Sequence, residues 1–223
     1  MAVERRENRF EAGEIDSIQL ELDSADFMVQ ETDEEGQIQI AAEVDEADAF
    51  ECSVKKGELH IRYRRKKMFF RHVIDTARIT LWLPKGKVYS VFTLEIGAGK
   101  ADLKRSKLHC KTVNLEAGAG NIEVGVVRES QLMFAKIGAG NVSIESVQAS
   151  DVRVECGVGT CSLGLEGRED EYNYEISCGI GEIKINDNRI QSIGAGELRK
   201  NTQALGTVKL SCGVGEIEVH TER

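Results

Sequence analysis

The sequence predicts an all-β fold: a single-domain β-solenoid, a β-helix-like roll with rungs of about 20 residues and an irregular N-terminal β cap. Three observations predict it. Gly-x-Gly pairs recur seven times, with first glycines at 97, 118, 138, 157, 179, 194 and 213, so the successive spacings are 21, 20, 19, 22, 15 and 19. Apolar residues alternate with polar ones on both sides of each pair, which is the signature of a strand with one dry and one wet face. No run of helical length carries an apolar stripe of period 3.6.

The chain is expected to form one domain over 1–223, with irregular coils or a cap at 14–90 and regular rungs at 91–220. In the cap, "SIQLELDSADFMVQ" follows the rung pattern with Asp23 in place of the first glycine. Ile18, Leu20 and Leu22 precede it, and Phe27 and Val29 follow at matching offsets. Further strand-like runs are "QIQIAAEV", "FECSV", "LHIRY" and "ARITLWLPKG", divided by turn signals such as Glu35-Gly36, Lys56-Gly57 and Pro84-Lys85-Gly86. Atypical terminal repeats are the usual caps of a stacked array.

In the rungs, the inward column one residue before the first glycine reads Ile96, Ala117, Ile137, Cys156, Cys178 and Cys212. Four residues after it the column reads Ala101, Ile122, Val142, Cys161, Ile183 and Ile217. Both columns point inward although four residues lie between them, an even number that would put them on opposite faces of a regular strand, so the glycine pair is a corner where strand parity changes. The middle residue (Ala, Val or Ile) is expected to tuck inside the corner. One such unit cannot bury its apolar face, whereas stacked units share a continuous core. The unit at Gly194 has Gln191 and Arg189 upstream and the shortest spacing, and reads as a trimmed rung.

A glycine-rich phosphate loop is the competing reading of these pairs. A Walker loop requires Ser or Thr after Gly-Lys, but Gly99-Lys100 is followed by Ala101. The dinucleotide fingerprint requires a third glycine where Glu123 stands. Neither fits, and the recurrence itself points to architecture.

In order along the chain, "IQLELDSADFMVQ", "ITLWLPKG" leading into "LEIGAGKADL", and the series "LEAGAGNIEV", "AKIGAGNVSI", "KLSCGVGEIEV" resemble the bacterial putative-adhesin family, domain of unknown function 4097. The resemblance spans about Ser17 to Val219. It implies a β-helical or β-roll fold, found in proteins associated with the cell envelope or envelope stress, and it implies no catalytic residues.

The net charge of -9 argues against nucleic acid as a partner, since that footprint is basic. No stretch approaches the roughly 18 apolar residues of a membrane span, and the N-terminal "MAVERRENRFEAGEID" has no apolar signal core. The chain as given is expected to be cytoplasmic, or a fragment of an envelope-associated protein. Cys156 and Cys161 are spaced like a metal or redox pair, but their columns also accept isoleucine and valine, so core thiols are favoured over a disulfide or a metal site. No cofactor motif is found, and neither a cofactor nor a metal is expected.

Outward carboxylates form two rows. Glu182, Glu197 and Glu216 share one repeat position; Glu95, Glu116 and Glu155 share another, with Lys136 interleaved. Such rows suit a solvated strand face, and less readily calcium, a sugar, or paired-carboxylate glycoside chemistry. The local outlier is "RYRRKKMFFRH", where Arg64, Arg65, Lys66, Lys67, Phe69 and Phe70 form a candidate surface-binding patch for an anionic lipid or acidic partner. The predicted function is a non-enzymatic binding or scaffold module. It would act on a protein, a glycan or an anionic surface, with self-association through solenoid ends as a further route. A carbohydrate-active enzyme on the same scaffold is the alternative.

Overall fold

The computed structural model describes residues 4–34, 36–45, 47–64, 77–186, 188–190, 194–197 and 204–222. Among them run eleven strands: β1 (Glu4–Glu11), β2 (Ser17–Thr32), β3 (Gln37–Val44), β4 (Phe50–Lys55), β5 (Glu58–Tyr63), β6 (Ala77–Pro84), β7 (Val88–Arg168), β8 (Tyr172–Ile185), β9 (Asn188–Ile190), β10 (Gly194–Glu197) and β11 (Gly206–Glu222). No α-helix is found among the described residues. All the strands connect into one sheet system, wound so that the 81 residues of β7 carry several turns without interruption.

Burial follows the predicted alternation. In β2, Ile18, Leu20 and Leu22 are buried before the bend and Ala25, Phe27 and Val29 after it, with Asp23 exposed between. In the first turn of β7 the buried set is Phe92, Leu94 and Ile96, then Ala101 and Leu103. β2 lies under that turn in parallel register: Leu20 on Leu94, Leu22 on Ile96, Phe27 on Ala101. It is therefore the first rung, as its pattern predicts.

The cap forms because the two arms of β2 take different neighbours. Ser17–Leu22 pairs with β5, which β4 backs antiparallel. Ala25–Thr32 pairs with β6, followed antiparallel by β3 and β1. The four runs named in the sequence all become strands of this cap.

At the other end the order of rungs departs from the order of the chain. The last strand, β11, does not close the stack. It lies between the last turn of β7 and β8, parallel to both. The trimmed unit at Gly194 is not a rung: β10 runs antiparallel along β8, with Gly194 opposite Cys178, and β9 pairs antiparallel with Ile183–Ile185. β11 is interior, and the edge of β8 is lined by β9 and β10. Repeat spacing cannot encode this swap, since like rungs fit one another in either order.

The middle residues of the corners are a second correction. Ala98, Ala119 and Ala139 are exposed, and Val158, Val214 and Ile180 are 54%, 46% and 72% exposed. The inside of each corner is already filled by the side chains before and after the glycines, which leaves the middle residue on the convex side.

Candidate functional site

The corner glycines stack in two ladders. The first runs Asp23, Gly97, Gly118, Gly138, Gly157, Gly213, Gly179; the second runs Ala25, Gly99, Gly120, Gly140, Gly159, Gly215, Gly181. In the glycines of the second ladder φ lies between +126° and +150°, a region side chains rarely enter. A methyl group on Gly120 would sit 1.8 Å from the Gly99 carbonyl oxygen, and one on Gly159 would sit 1.7 Å from that of Gly140. Neighbouring backbone fills the corner completely. It cannot cradle a phosphate, and glycine is required there by close approach.

Cys156, Cys212 and Cys178 form the predicted column, in that order through the stack, with each Cys212 neighbour in direct register. They are buried, as are Cys110 and Cys161, and all six thiols are free. Burial pushes Cys212 up to about 12, with the adjacent thiols of Cys156 and Cys178 adding to the effect. Burial likewise pushes Cys110 up to about 11 and raises Cys161. A thiol held protonated in an apolar interior is a poor nucleophile and a poor metal ligand. Among the described residues no group of three or more His, Cys, Asp or Glu is placed to hold a metal ion.

Outside the corners, a groove of about 410 Å³ runs past Glu21, Arg64, Glu95, Glu116 and Lys136, with Gly97, Gly118 and Gly138 as its floor. Glu95 and Glu116 occupy one column, and among the described residues no aromatic side chain lines the groove. Lys136 pairs with Glu155 at 3.6 Å. At the groove's head Glu21 accepts from Arg62 Nε and Nη2, both at 3.1 Å, and from Arg64 Nη2 at 2.6 Å. Arg62, and then Arg64 against an opposing effect of burial, hold Glu21 below the usual carboxylate range. Of the six predicted patch residues Arg64 is thus tied to the fold. Arg65, Lys66, Lys67, Phe69 and Phe70 lie outside the described residues.

A family model, Toastrack DUF4097, matches residues 15–220. The chain belongs to the Toastrack DUF4097 family. Its β-solenoid-like fold is shared with a solved structure of low identity. The Toastrack chain is similar to a putative cell adhesion protein from Clostridium sporogenes, at 17% identity and a TM-score of 0.52, covering 99% of this chain and 100% of that one. It is also similar to a putative adhesin from Parabacteroides distasonis, at 10% identity and 0.45, covering 99% and 98%. A third is a putative lipid binding protein from the same species, at 13% and 0.37, covering 98% and 97%. No curated protein matches it.

Along this Toastrack stack the predicted row of Glu182, Glu197 and Glu216 is only partly assembled. Glu216 and Glu182 are register neighbours, but the backbone of Glu197 lies opposite Glu175 on antiparallel β10. Lys184 binds Glu216 and, at 3.2 Å, Glu218. The same column carries a polar ladder that sequence reasoning missed. Asn141 Nδ2 donates to Asn121 Oδ1 at 3.1 Å, and Thr160 Oγ1 donates to Asn141 Oδ1 at 2.6 Å. The signal was there in "GNIEV" and "GNVSI", two asparagines one rung apart directly after the corner.

Proposed function

We propose that this Toastrack chain is a single-domain, non-enzymatic binding module of adhesin type that serves at the bacterial envelope. In this reading it docks on an anionic surface through the basic segment that begins at Arg64. One observation carries the proposal: the repeated polar positions that would have to supply chemistry are occupied with holding the stack together. The glycine corners are filled by backbone, the thiols are core, and Lys136, Lys184 and Arg64 are each spent on a neighbouring carboxylate. The glycosidase alternative needs two carboxyl groups facing each other across a groove, at roughly 5–9 Å. Glu95 and Glu116 share one column of the stack instead, and no aromatic platform accompanies them among the described residues. The cell-adhesion description of the Clostridium sporogenes neighbour agrees with the adhesin half of the reading.

Arg65, Lys66 and Lys67 supply the surface charge in this reading, at about 1 kcal/mol each near an anionic surface, and Phe69 and Phe70 supply apolar contact. The test is co-sedimentation with vesicles at low salt. The parent chain is expected to pellet with phosphatidylglycerol-containing vesicles and not with pure phosphatidylcholine. Replacing Arg64, Arg65, Lys66 and Lys67 with Gln should abolish that. A parent chain that ignores both vesicles, or a variant that binds like the parent, sinks the surface-docking reading.

A further inference from the structure

β11 is the last strand of the chain, yet it occupies an interior slot between two strands that are themselves consecutive in sequence. Only Glu169–Glu171 separates β7 from β8, whereas β11 is joined to β10 through residues 198–205. Consecutive strands are usually neighbours in a sheet; here they are held a strand apart by a later arrival.

The register shows what would happen without it. Through β11, Val154 stands over Ile176, Cys156 over Cys178, and Gly159 over Gly181. Every inward position of β7 faces the matching inward position of β8, and glycine faces glycine. β8 could therefore move one strand spacing and close directly on β7, with no column mismatched. An interior strand normally leaves an open core behind it. This one leaves a slot whose walls fit each other, so its departure costs less than its central position suggests.

A released β11 has an alternating apolar face and two unpaired edges, a state that seeks a partner. The slot it fits is a demanding one. It needs two parallel ladders at once, plus glycine at both corner positions, because a methyl on Gly213 or Gly215 would meet the Gly157 or Gly159 carbonyl oxygen at 2.5 or 1.8 Å. The partner that offers that slot is a second copy of the chain.

We propose that β11 is an exchangeable rung, and that two copies of this chain associate by each placing β11 between the other's β7 and β8. Native thiols provide the test. With Cys52, Cys110 and Cys161 replaced by alanine, one variant keeps Cys212 alone, and a second keeps Cys156 and Cys178 but carries Cys212→Ala. The two are mixed over a range of concentrations with diamide as oxidant. A third chain, keeping Cys156 and Cys212 together, is the control for closure of this bond within one molecule.

Exchange is expected to give a covalent heterodimer whose fraction grows with concentration. The second variant alone should also slowly bond Cys156 to Cys178. Those two stand two strand spacings apart in the stack, roughly 9.6 Å, beyond the reach of a disulfide, and meet only when β8 closes on β7. A control that closes while no heterodimer forms overturns the proposal. Should the variants misfold or the control stay open, native mass spectrometry of the unmodified chain, mixed with an isotope-labelled copy, decides. Dimers that survive dilution support exchange, and monomers at every concentration overturn it.

Discussion

The carboxamide of Asn186 clasps Thr221: Nδ2 donates to Thr221 Oγ1 at 2.9 Å, and Oδ1 accepts the Thr221 backbone N–H at 2.9 Å. The Asn186 backbone N–H donates to Val219 O at 2.8 Å, and its φ is +50°, a conformation that asparagine tolerates better than most residues. This residue ties the end of β8 to the end of β11. Asn186→Ala removes the side-chain bonds and keeps the strained backbone, at a cost of about 1–3 kcal/mol. Hydrogen exchange should show the amides of β11 losing more protection than those of β3. Uniform loss across both strands would refute the local clasp.

The glycine ladder makes a sharper claim. Gly140 has φ +132°, and a Cβ there would lie 1.8 Å from Gly120 O. Gly140→Ala combines left-handed strain with overpacking against backbone that cannot step aside, at a cost of about 3 kcal/mol or more. Its exposed neighbour Ala139 is the control, and Ala139→Ser should change stability by less than about 0.5 kcal/mol. Urea midpoints of the two variants read the difference directly. A Gly140→Ala chain as stable as the parent would mean that the corner has slack.

Acid should weaken the cap through Glu21. Its pKa is lowered from the ordinary 4.5 when folded, chiefly by Arg62. A depressed carboxylate contributes stability above its unfolded value and loses it as pH falls through the folded one. Stability is therefore expected to decline below pH 4.5, with a smaller decline in Glu21→Gln. The arginine partners are 42% and 62% exposed, which limits the effect to about 1 kcal/mol. Parallel urea titrations of parent and variant at neutral and acid pH check it, and equal slopes with pH would remove the assignment.

What could be read beforehand follows from what repeats. The inward columns, the corner role of the glycines, the core placement of Cys156, Cys178 and Cys212 and the first-rung role of Ser17–Thr32 all rest on local alternation, which a sequence displays. The position of β11 rests on a choice between equivalent neighbours. Val208, Leu210 and Cys212 match Val152, Val154 and Cys156 as well as they match Tyr174, Ile176 and Cys178, so pattern alone cannot order the three rungs. The outward turn of Val158, Val214 and Ile180 was misread because apolar character suggests burial, while the space inside the corner was already taken. The Arg62–Glu21 pairing joins residues 41 apart in different strands, and only the parallel register of β2 with β5 brings them together.

The thiol column gives the last test, at the alkaline end. Burial first, then neighbouring thiols, raise Cys212 from the ordinary 9.0 to about 12, and burial raises Cys110 to about 11. A raised pKa means that the folded chain keeps its proton while the unfolded chain releases it. The contribution is whole below pH 9 and is lost as pH climbs through the folded values. Each such thiol steepens the loss by up to about 1.4 kcal/mol per pH unit in that window. Lysines and tyrosines titrate there too, so the informative quantity is the difference between parent and variant. Cys212→Val suits the column, which accepts isoleucine at Ile96 and Ile137, and it removes one ionisable group. Urea unfolding under reducing conditions, from about pH 8 to about pH 11, should give a shallower decline for the variant than for the parent. If both fall in parallel, Cys212 is not held protonated by the fold, and the column is more open to water than its 3% exposure indicates.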